Sequence, residues 1–398
     1  MRTYSQNYLA PLQAYQDELL HHLALLVNID SGSGQIEGVN RIIDYLKEWL
    51  SEIGFTVTLH PSEHFGYNLL ARRRGRTGKG LARVLLVGHV DTVYSAGSAA
   101  AQPFRISEGL AFGPGVIDMK SGVLMALYTL RVLIESGFEE YEELCVVFNN
   151  DEEVSSVGSA PLLREIAQQV DVGLVLEPSR SPEIVTNARK GADRYVLDVV
   201  GVPAHSGAEP QRGRSAVIEL AHKMIAIHGL NSVYPGVTFN VTRISSSEPL
   251  NVVPDTARCF ISVRAFDEHG LNLAQAALEK IAAGCSIPDT HTRLARFRGR
   301  VPYKVSPGIT RLVEIAAAEG KGLGLDLIAE RKGGVSDANL LVGEGVPTLD
   351  SLGPVGGGMH DLHREYLRVD SLPVRGALLA GLITHICLSK FTGEQPSR

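Results

Sequence analysis

The chain has 398 residues, room for two domains of ordinary size. With 44% apolar and 21% charged residues it has the composition of a folded globular protein rather than a disordered one. The 38 Lys and Arg against 44 Asp and Glu leave a formal net charge of −6, which argues against a nucleic-acid partner. The four cysteines (Cys145, Cys259, Cys285, Cys387) have no CxxC spacing, so neither a disulfide framework nor a zinc ribbon is expected.

In chain order, the opening MRTYSQNYLAPLQAY lacks the apolar core and small-residue site of an export signal. Gln13–Val27 and Gly38–Gly54 carry apolar residues at helical spacing. The basic stretch Ala71–Lys79 reads as a solvated Gly- and Arg-rich turn between strands rather than a phosphate site. Leu81–Val87 is apolar without alternation, as in a strand covered on both faces. Met119–Ser136 predicts a long helix stopping at Gly137. Leu144–Asn149 and Val172–Leu176 repeat the buried-strand pattern, with a helix over Ala160–Gln169 between them. Strands alternating with helices imply parallel pairing through right-handed crossovers.

From about Gly191 the pattern changes to strand Tyr195–Val199, helix Ser215–Ile227, strands Thr238–Ile244 and Ala257–Arg264, helix Gly270–Ala283 and strand Leu294–Arg298. That βαββαβ order is ferredoxin-like. After Val301 helices and Gly-rich loops resume, ending in an apolar helix over Leu372–Leu388. Its longest uncharged stretch, Gly376–Ser389, is short of the ~18–20 residues of a bilayer span, so no membrane partner is expected and a cytoplasmic location is the default. The fold expected is therefore α/β: a mixed, mostly parallel sheet flanked by helices in a discontinuous domain (residues 1–189 and 302–398), with an inserted ferredoxin-like domain (190–301).

The chemistry-bearing residues follow the buried strands. His89 and Asp91 come after the first, Asp118 stands ahead of the long helix, Asp151, Glu152 and Glu153 follow the second and Glu177 the third, while a Gly-rich loop delivers His360. Ligands bind at the carboxyl ends of parallel strands, so these groups are placed to meet at one rim. Imidazole and carboxylate suit zinc, cobalt or manganese, and a shared carboxylate can bridge two ions. In the His-x-Asp spacing the carboxylate can fix the tautomer of the imidazole. No G-x-S-x-G elbow or G-x-x-x-x-G-K-[ST] phosphate loop occurs.

The segments NIDSGSG, GHVDTV, FGPGVIDMKSG, NNDEE, LVLEP, GVPAHSGAEPQRGRSA, NVVPDTA and GMHDLHREYL, in this order, resemble the M20 family of dinuclear zinc metallopeptidases, within it the glutamate carboxypeptidase branch. The resemblance implies a zinc-exopeptidase type of fold whose inserted domain is a lid and dimerisation domain. It implies two Zn2+ per chain (Co2+ or Mn2+ as substitutes): His89 and Glu177 as terminal ligands of one, Glu153 and His360 of the other, and Asp118 bridging both, with a cis peptide bond after Asp118. It makes Glu152 the general base and Asp91 the acid behind His89. His205 becomes an oxyanion-stabilising residue reaching a partner subunit's site, Asn251 a substrate-binding polar group, and Arg264 the anchor of a substrate carboxylate. His363 is a rival to His360, but the family places the ligand five residues before a Glu-Tyr pair, which selects His360 and leaves His363 on the surface. Asp151 is a rival to Glu152 and Glu153, which the family order of the triplet disfavours. The Gly333–Asn339 loop is expected to complete the pocket wall.

The activity so implied is hydrolysis of an amide or peptide bond beside a free C-terminal carboxylate, releasing an amino acid such as glutamate from a small peptide or N-acyl amino acid. An N-acyl amino acid amidohydrolase or deacetylase has the same metal residues, so the alternative stays open. A metal-free dimeric binding protein of the same fold is disfavoured by the complete ligand set. No Lys or Arg is marked by spacing as the partner of a second, side-chain carboxylate.

Overall fold

The computed structural model describes residues 3–75, 81–247, 250–389 and 391. The chain divides into two compact units: residues 1–187, 305–331 and 336–398 form the larger, and 188–304 with 332–335 form the smaller.

The larger unit is built on a six-stranded mixed sheet. Its strands are β1 (Thr56–Ser62), β2 (Gly66–Arg74), β3 (Arg83–His89), β4 (Glu143–Asn149), β5 (Val172–Val175) and the two-residue strand Thr348–Leu349, in the order β1-β2-β4-β3-β5-Thr348–Leu349. β3 runs parallel to β4 and β5, and β5 parallel to Thr348–Leu349, whereas β1 and β2 form an antiparallel hairpin laid on β4. The central strands are buried over nearly their whole length because helices cover both faces, which accounts for their unalternating Val and Leu. Helix Ser121–Glu135 is packed in the core, and helix Ile36–Glu52 turns Val39, Ile42, Ile43, Leu46 and Leu50 inward.

Several readings need correction. A helix at Gln6–Ala14 precedes Gln16–Val27, where only one was expected. Residues Ala71–Arg74 complete β2 instead of turning, and Arg72 and Arg73 pair with Glu143 and Glu139; residues 76–80 of that basic stretch lie outside the described residues. The closing helix is 18 residues long, Ser371–Leu388, long and apolar enough to span a bilayer, but only Val374 and Leu388 escape burial in the protein. A second small sheet, Arg105–Ser107, Leu110–Phe112, Gly356–Gly357 and Tyr366–Arg368, has strands too short to leave a periodic trace.

The smaller unit holds β6 (Gly191–Val200), β7 (Thr238–Ser246), β8 (Thr256–Ala265) and β9 (His291–Arg298) in the order β7-β8-β6-β9, all antiparallel. Helices Ala216–Gly229 and Glu268–Ala283 complete the βαββαβ order. Ser215 and Asp267 cap them, accepting from Ile218 N and Gly270 N. Odd-numbered residues of β6 and β8 (Tyr195, Leu197, Val199, Cys259, Ile261, Val263) join Leu220, Ile227, Leu271 and Leu278 in a separate core. Even-numbered residues stand on the opposite face of the sheet. Residues 332–335, read as part of the discontinuous domain, belong to this unit: Lys190 N donates to Lys332 O (3.1 Å), and Arg264 and Arg189 donate to Gly333 O (3.3 Å) and Gly334 O (3.2 Å).

Candidate metal centre

Three strand ends and two loops carry the acidic and imidazole groups of the larger unit to one place. His89 is the last residue of β3, its partner in register being Asn149 at the end of β4. Glu152 and Glu153 open the short turn Glu152–Val154 beyond β4, and Glu177 follows β5. Glycines bring the backbone close around that last position: a Cβ on Gly122 or Gly353 would lie 2.6 or 2.3 Å from Leu176 O. Asp118 comes from the turn before helix Ser121–Glu135, and its bond to Met119 is cis. The small sheet joins this turn to the Gly-rich loop, because Tyr366–Arg368 pairs with both Leu110–Phe112 and Gly356–Gly357. From that loop His360 projects, at a φ of +66° that few non-glycine residues adopt.

The Asp118 carboxylate lies between two imidazoles. Its Oδ1 is 3.3 Å from His89 Nε2 and its Oδ2 is 3.4 Å from His360 Nε2, which is also 3.4 Å from Glu153 Oε2. One ligand atom each from His89, Asp118 and Glu153 lie within 4.8 Å of one another, as do those of His89, Glu152 and Glu177. His363 instead meets Gln102 Nε2 at 3.1 Å on the surface. Asp151 is buried and accepts from Ser159 Oγ (2.5 Å) and Gly158 N (2.5 Å), closing the loop beyond β4.

Behind the imidazole of His89 sits Asp91, fully buried, its Oδ1 3.3 Å from Nδ1. The same carboxylate accepts from Ser33 Oγ (2.6 Å) and from the main-chain N–H groups of Glu152 (3.1 Å) and Glu153 (3.2 Å). It therefore sets one imidazole and the backbone of two carboxylates together. Sequence reasoning missed two further residues. Glu365, used only to mark the register of His360, is buried and accepts from Gly115 N (3.0 Å), Ile117 N (2.9 Å), Asp118 N (3.1 Å) and Tyr94 Oη (2.6 Å), pinning the turn that carries Asp118. Arg375, fully buried in the last helix, donates to the carbonyls of Gly353, Pro182, Ile184 and Ser351 and ties down the segment beyond Glu177. A lone Arg in an apolar helix and a Glu before a short strand were the available signals.

Electrostatics favour a cation here. Burial works against a charged His89, yet the carboxylates of Asp118 and Asp91 hold its imidazole well above the ordinary histidine range. Asp118 and Glu153 raise His360 to about 10 against partial burial. Burial would raise Asp118, but His360 and His89 reverse that and hold its carboxyl well below the usual range. Burial pushes Lys120, whose Nζ donates to Ile29 O (2.9 Å), down to about 7. Buried Asp118 Oδ1 has no hydrogen-bond partner among the described residues, the 3.3 Å approach of His89 falling outside hydrogen-bond geometry. An oxygen-rich, imidazole-flanked cluster with an orphaned carboxylate oxygen fits zinc, cobalt or manganese.

In the smaller unit, His205 pairs across a β-bridge with Val252, and Ser206 N donates to Asn251 O (2.9 Å), which sets His205 and Asn251 side by side. His205 Nδ1 accepts from Gly207 N (3.2 Å) and Ala208 N (3.1 Å), so the hydrogen of the neutral ring is on Nε2. Arg264, at the end of β8, is half-buried.

Residues 85–385 match the model of peptidase family M20/M25/M40, and the chain belongs to that family. It is a hydrolase acting on C–N bonds. Carboxypeptidase G2 of Pseudomonas sp. (strain RS-16) is 33% identical over 385 residues, 95% of this chain and 92% of that protein. An acetylornithine deacetylase of Edwardsiella ictaluri (strain 93-146) is 28% identical over 387 residues, 90% and 94% of the two chains. In fold, the crystal structure of aminopeptidase PepT from Bacillus cereus ATCC 10987 superposes with a TM-score of 0.79 at 21% identity, covering 93% of this chain and 98% of that one.

Proposed function

We propose that this chain is a zinc-dependent carboxypeptidase that removes a C-terminal amino acid, glutamate among them, from a small peptide or N-acyl amino acid. The observation that carries the reading is the Asp118 carboxylate with an imidazole at each oxygen, the arrangement of a bridge between two cations. His89 and Glu177 would hold one zinc, Glu153 and His360 the other. When bound, such ions polarise a carbonyl and make water acidic enough to attack at neutral pH.

The chain's own groups divide the remaining work. Glu152, its backbone fixed by Asp91, takes a proton from the attacking water and returns it to the leaving nitrogen. His205 Nε2–H donates to the oxygen on which negative charge develops. Arg264, with Asn251 beside the substrate, holds the free carboxylate in a bidentate pair. A homodimer formed through the smaller unit would let His205 serve a neighbouring chain's site.

Glu152→Gln should keep its metal content while losing nearly all hydrolysis of an acyl-glutamate; full turnover by that variant overturns the role. Mixing a Glu152→Gln chain with a His205→Ala chain should restore part of the activity if His205 acts across a dimer. The second reading, an N-acyl amino acid deacetylase, is favoured by the deacetylase relative. A panel of acyl-glutamates, dipeptides and acetylated amino acids separates the two.

A further inference from the structure

The sheet of the smaller unit has one face that its helices leave uncovered, and the groups on it take no part in the hydrolytic reading. Odd-numbered residues of β6 and β8 face the helices, so their even-numbered neighbours and the cross-strand partners of these share the open face. Register sets Arg258 between Ser245 of β7 and Asp198 of β6, with Arg293 of β9 on the far side of Asp198. Two residues along β8, Phe260 lies opposite Arg243, whose guanidinium carbon is 4.4 Å from the ring centroid. Phe297 of β9 stands on the same face, 57% exposed. Asp198 is the one acid that these four strands place there, and it receives Arg258 Nε. Arg243 and Arg293 form no ion pair among the described residues. A groove of about 620 Å³ crosses the end of the face, lined by Arg258, Arg293, His291, Ser245 and Thr256.

We propose that this open sheet face is a docking surface for single-stranded RNA, an interaction separate from hydrolysis. The net charge of −6 argues against a nucleic-acid partner for the chain as a whole, but on this face the balance is reversed. Phe297 and the Arg243–Phe260 pair are flat surfaces on which unpaired bases stack whatever their sequence, and a four-stranded sheet with aromatic groups on its face is an established way of holding them. Arg258 and Arg293 offer planar forks to phosphates along the groove; Arg258 has donors left after its bond to Asp198. Ser245, Ser262 and Asn240 share the face and can exchange hydrogen bonds with 2′-hydroxyl groups, which DNA lacks. An acidic polypeptide fits this arrangement less well. An extended peptide joins a sheet at an edge strand through main-chain hydrogen bonds, whereas the rings and guanidinium groups here stand on the face.

Fluorescence anisotropy of a labelled, unstructured RNA of about 12 nucleotides, titrated with the full chain, tests the surface. Wild type should bind with a Kd of about 100 μM or tighter at about 50 mM salt, and the logarithm of affinity should fall with that of salt at a slope of about −1.4, as for two phosphates of a single strand. Phe297→Ala should weaken binding about 5- to 150-fold, the loss of one stacked base, and leave the slope unchanged. Arg293→Gln should weaken binding and flatten the slope by about 0.7. Both side chains are exposed, so both variants should keep the wild-type melting curve. Unlabelled RNA should displace the probe better than DNA of the same sequence or poly-L-glutamate of equal charge. No binding by wild type, wild-type affinity in Phe297→Ala, or equal displacement by DNA or by poly-L-glutamate overturns the proposal.

Discussion

Asp91→Asn tests whether one buried carboxylate organises the candidate metal centre. The side chain receives Ser33 Oγ and Glu153 N on Oδ2 and Glu152 N on Oδ1, with His89 Nδ1 3.3 Å from Oδ1. Asparagine keeps the shape but turns one oxygen into an NH2 group. Whichever way the amide lies, that group faces the main-chain N–H of Glu152 or of Glu153. One buried donor then loses its acceptor, at about 1–3 kcal/mol. His89 Nδ1 keeps its 3.0 Å contact with Asp91 O, so what is lost behind this imidazole is the carboxylate charge, at about tenfold in metal affinity, or about 1.4 kcal/mol. Zinc titration against a chromophoric chelator should show that loss. At saturating zinc, kcat should still fall about tenfold or more, because the backbone that aims Glu152 has shifted, with KM changing less. Wild-type zinc affinity together with wild-type kcat would refute the reasoning.

Chelation should abolish hydrolysis and lower the melting temperature, since zinc at a hundred times its Kd adds about 2.7 kcal/mol to stability; an unchanged melting curve would count against a bound ion. Glu365→Gln should destabilise the metal-free protein by about 1–3 kcal/mol in denaturant melts, because one of the donors on the turn before Asp118 is left unmatched, and should weaken zinc binding as well. In the smaller unit, buried Glu219 contacts Lys223 Nζ (3.0 Å) and the amides of Ser286 and Ile287; Lys223 keeps the carbonyls of Ile281, Ala282 and Gly284, so Glu219→Gln should cost about 1–3 kcal/mol near neutral pH. Burial would raise the Glu219 carboxyl, but those partners hold it below the ordinary value of 4.5. Its contribution is therefore complete above pH 4.5 and lost as pH falls through the lower folded value, so the gap between wild type and variant should narrow in acid melts.

The buried strands that end near His89, Glu153 and Glu177 were legible because strands covered on both faces need uninterrupted Val, Leu and Phe, and LARVLLV, LCVVFN and VGLVL have them. The hairpin β1–β2 was not, because in TVTLHPS the dry face amounts to Val57 and Leu59 alone, both only part-buried, before His60 and Pro61 break the run. Nor were strands of two or three residues, some of whose pairing depends on partners about 250 positions away, as Tyr366–Arg368 depends on Leu110–Phe112. The same distance hid Glu365: a glutamate is ordinary in sequence, and its three main-chain donors come from residues 115–118.

The main excursion of the chain into the smaller unit, residues 188–304, opens and closes at one place, and residues 332–335 return to that unit later. Arg189 N donates to Tyr303 O (3.0 Å) and Tyr303 N to Arg189 O (3.1 Å), so the two ends of the excursion are stitched to each other. Trimming or lengthening the excursion between these paired ends leaves the thread of the metal-bearing sheet intact, but a wholesale exchange must also keep the return segment 332–335 that Lys190 and Arg264 hold.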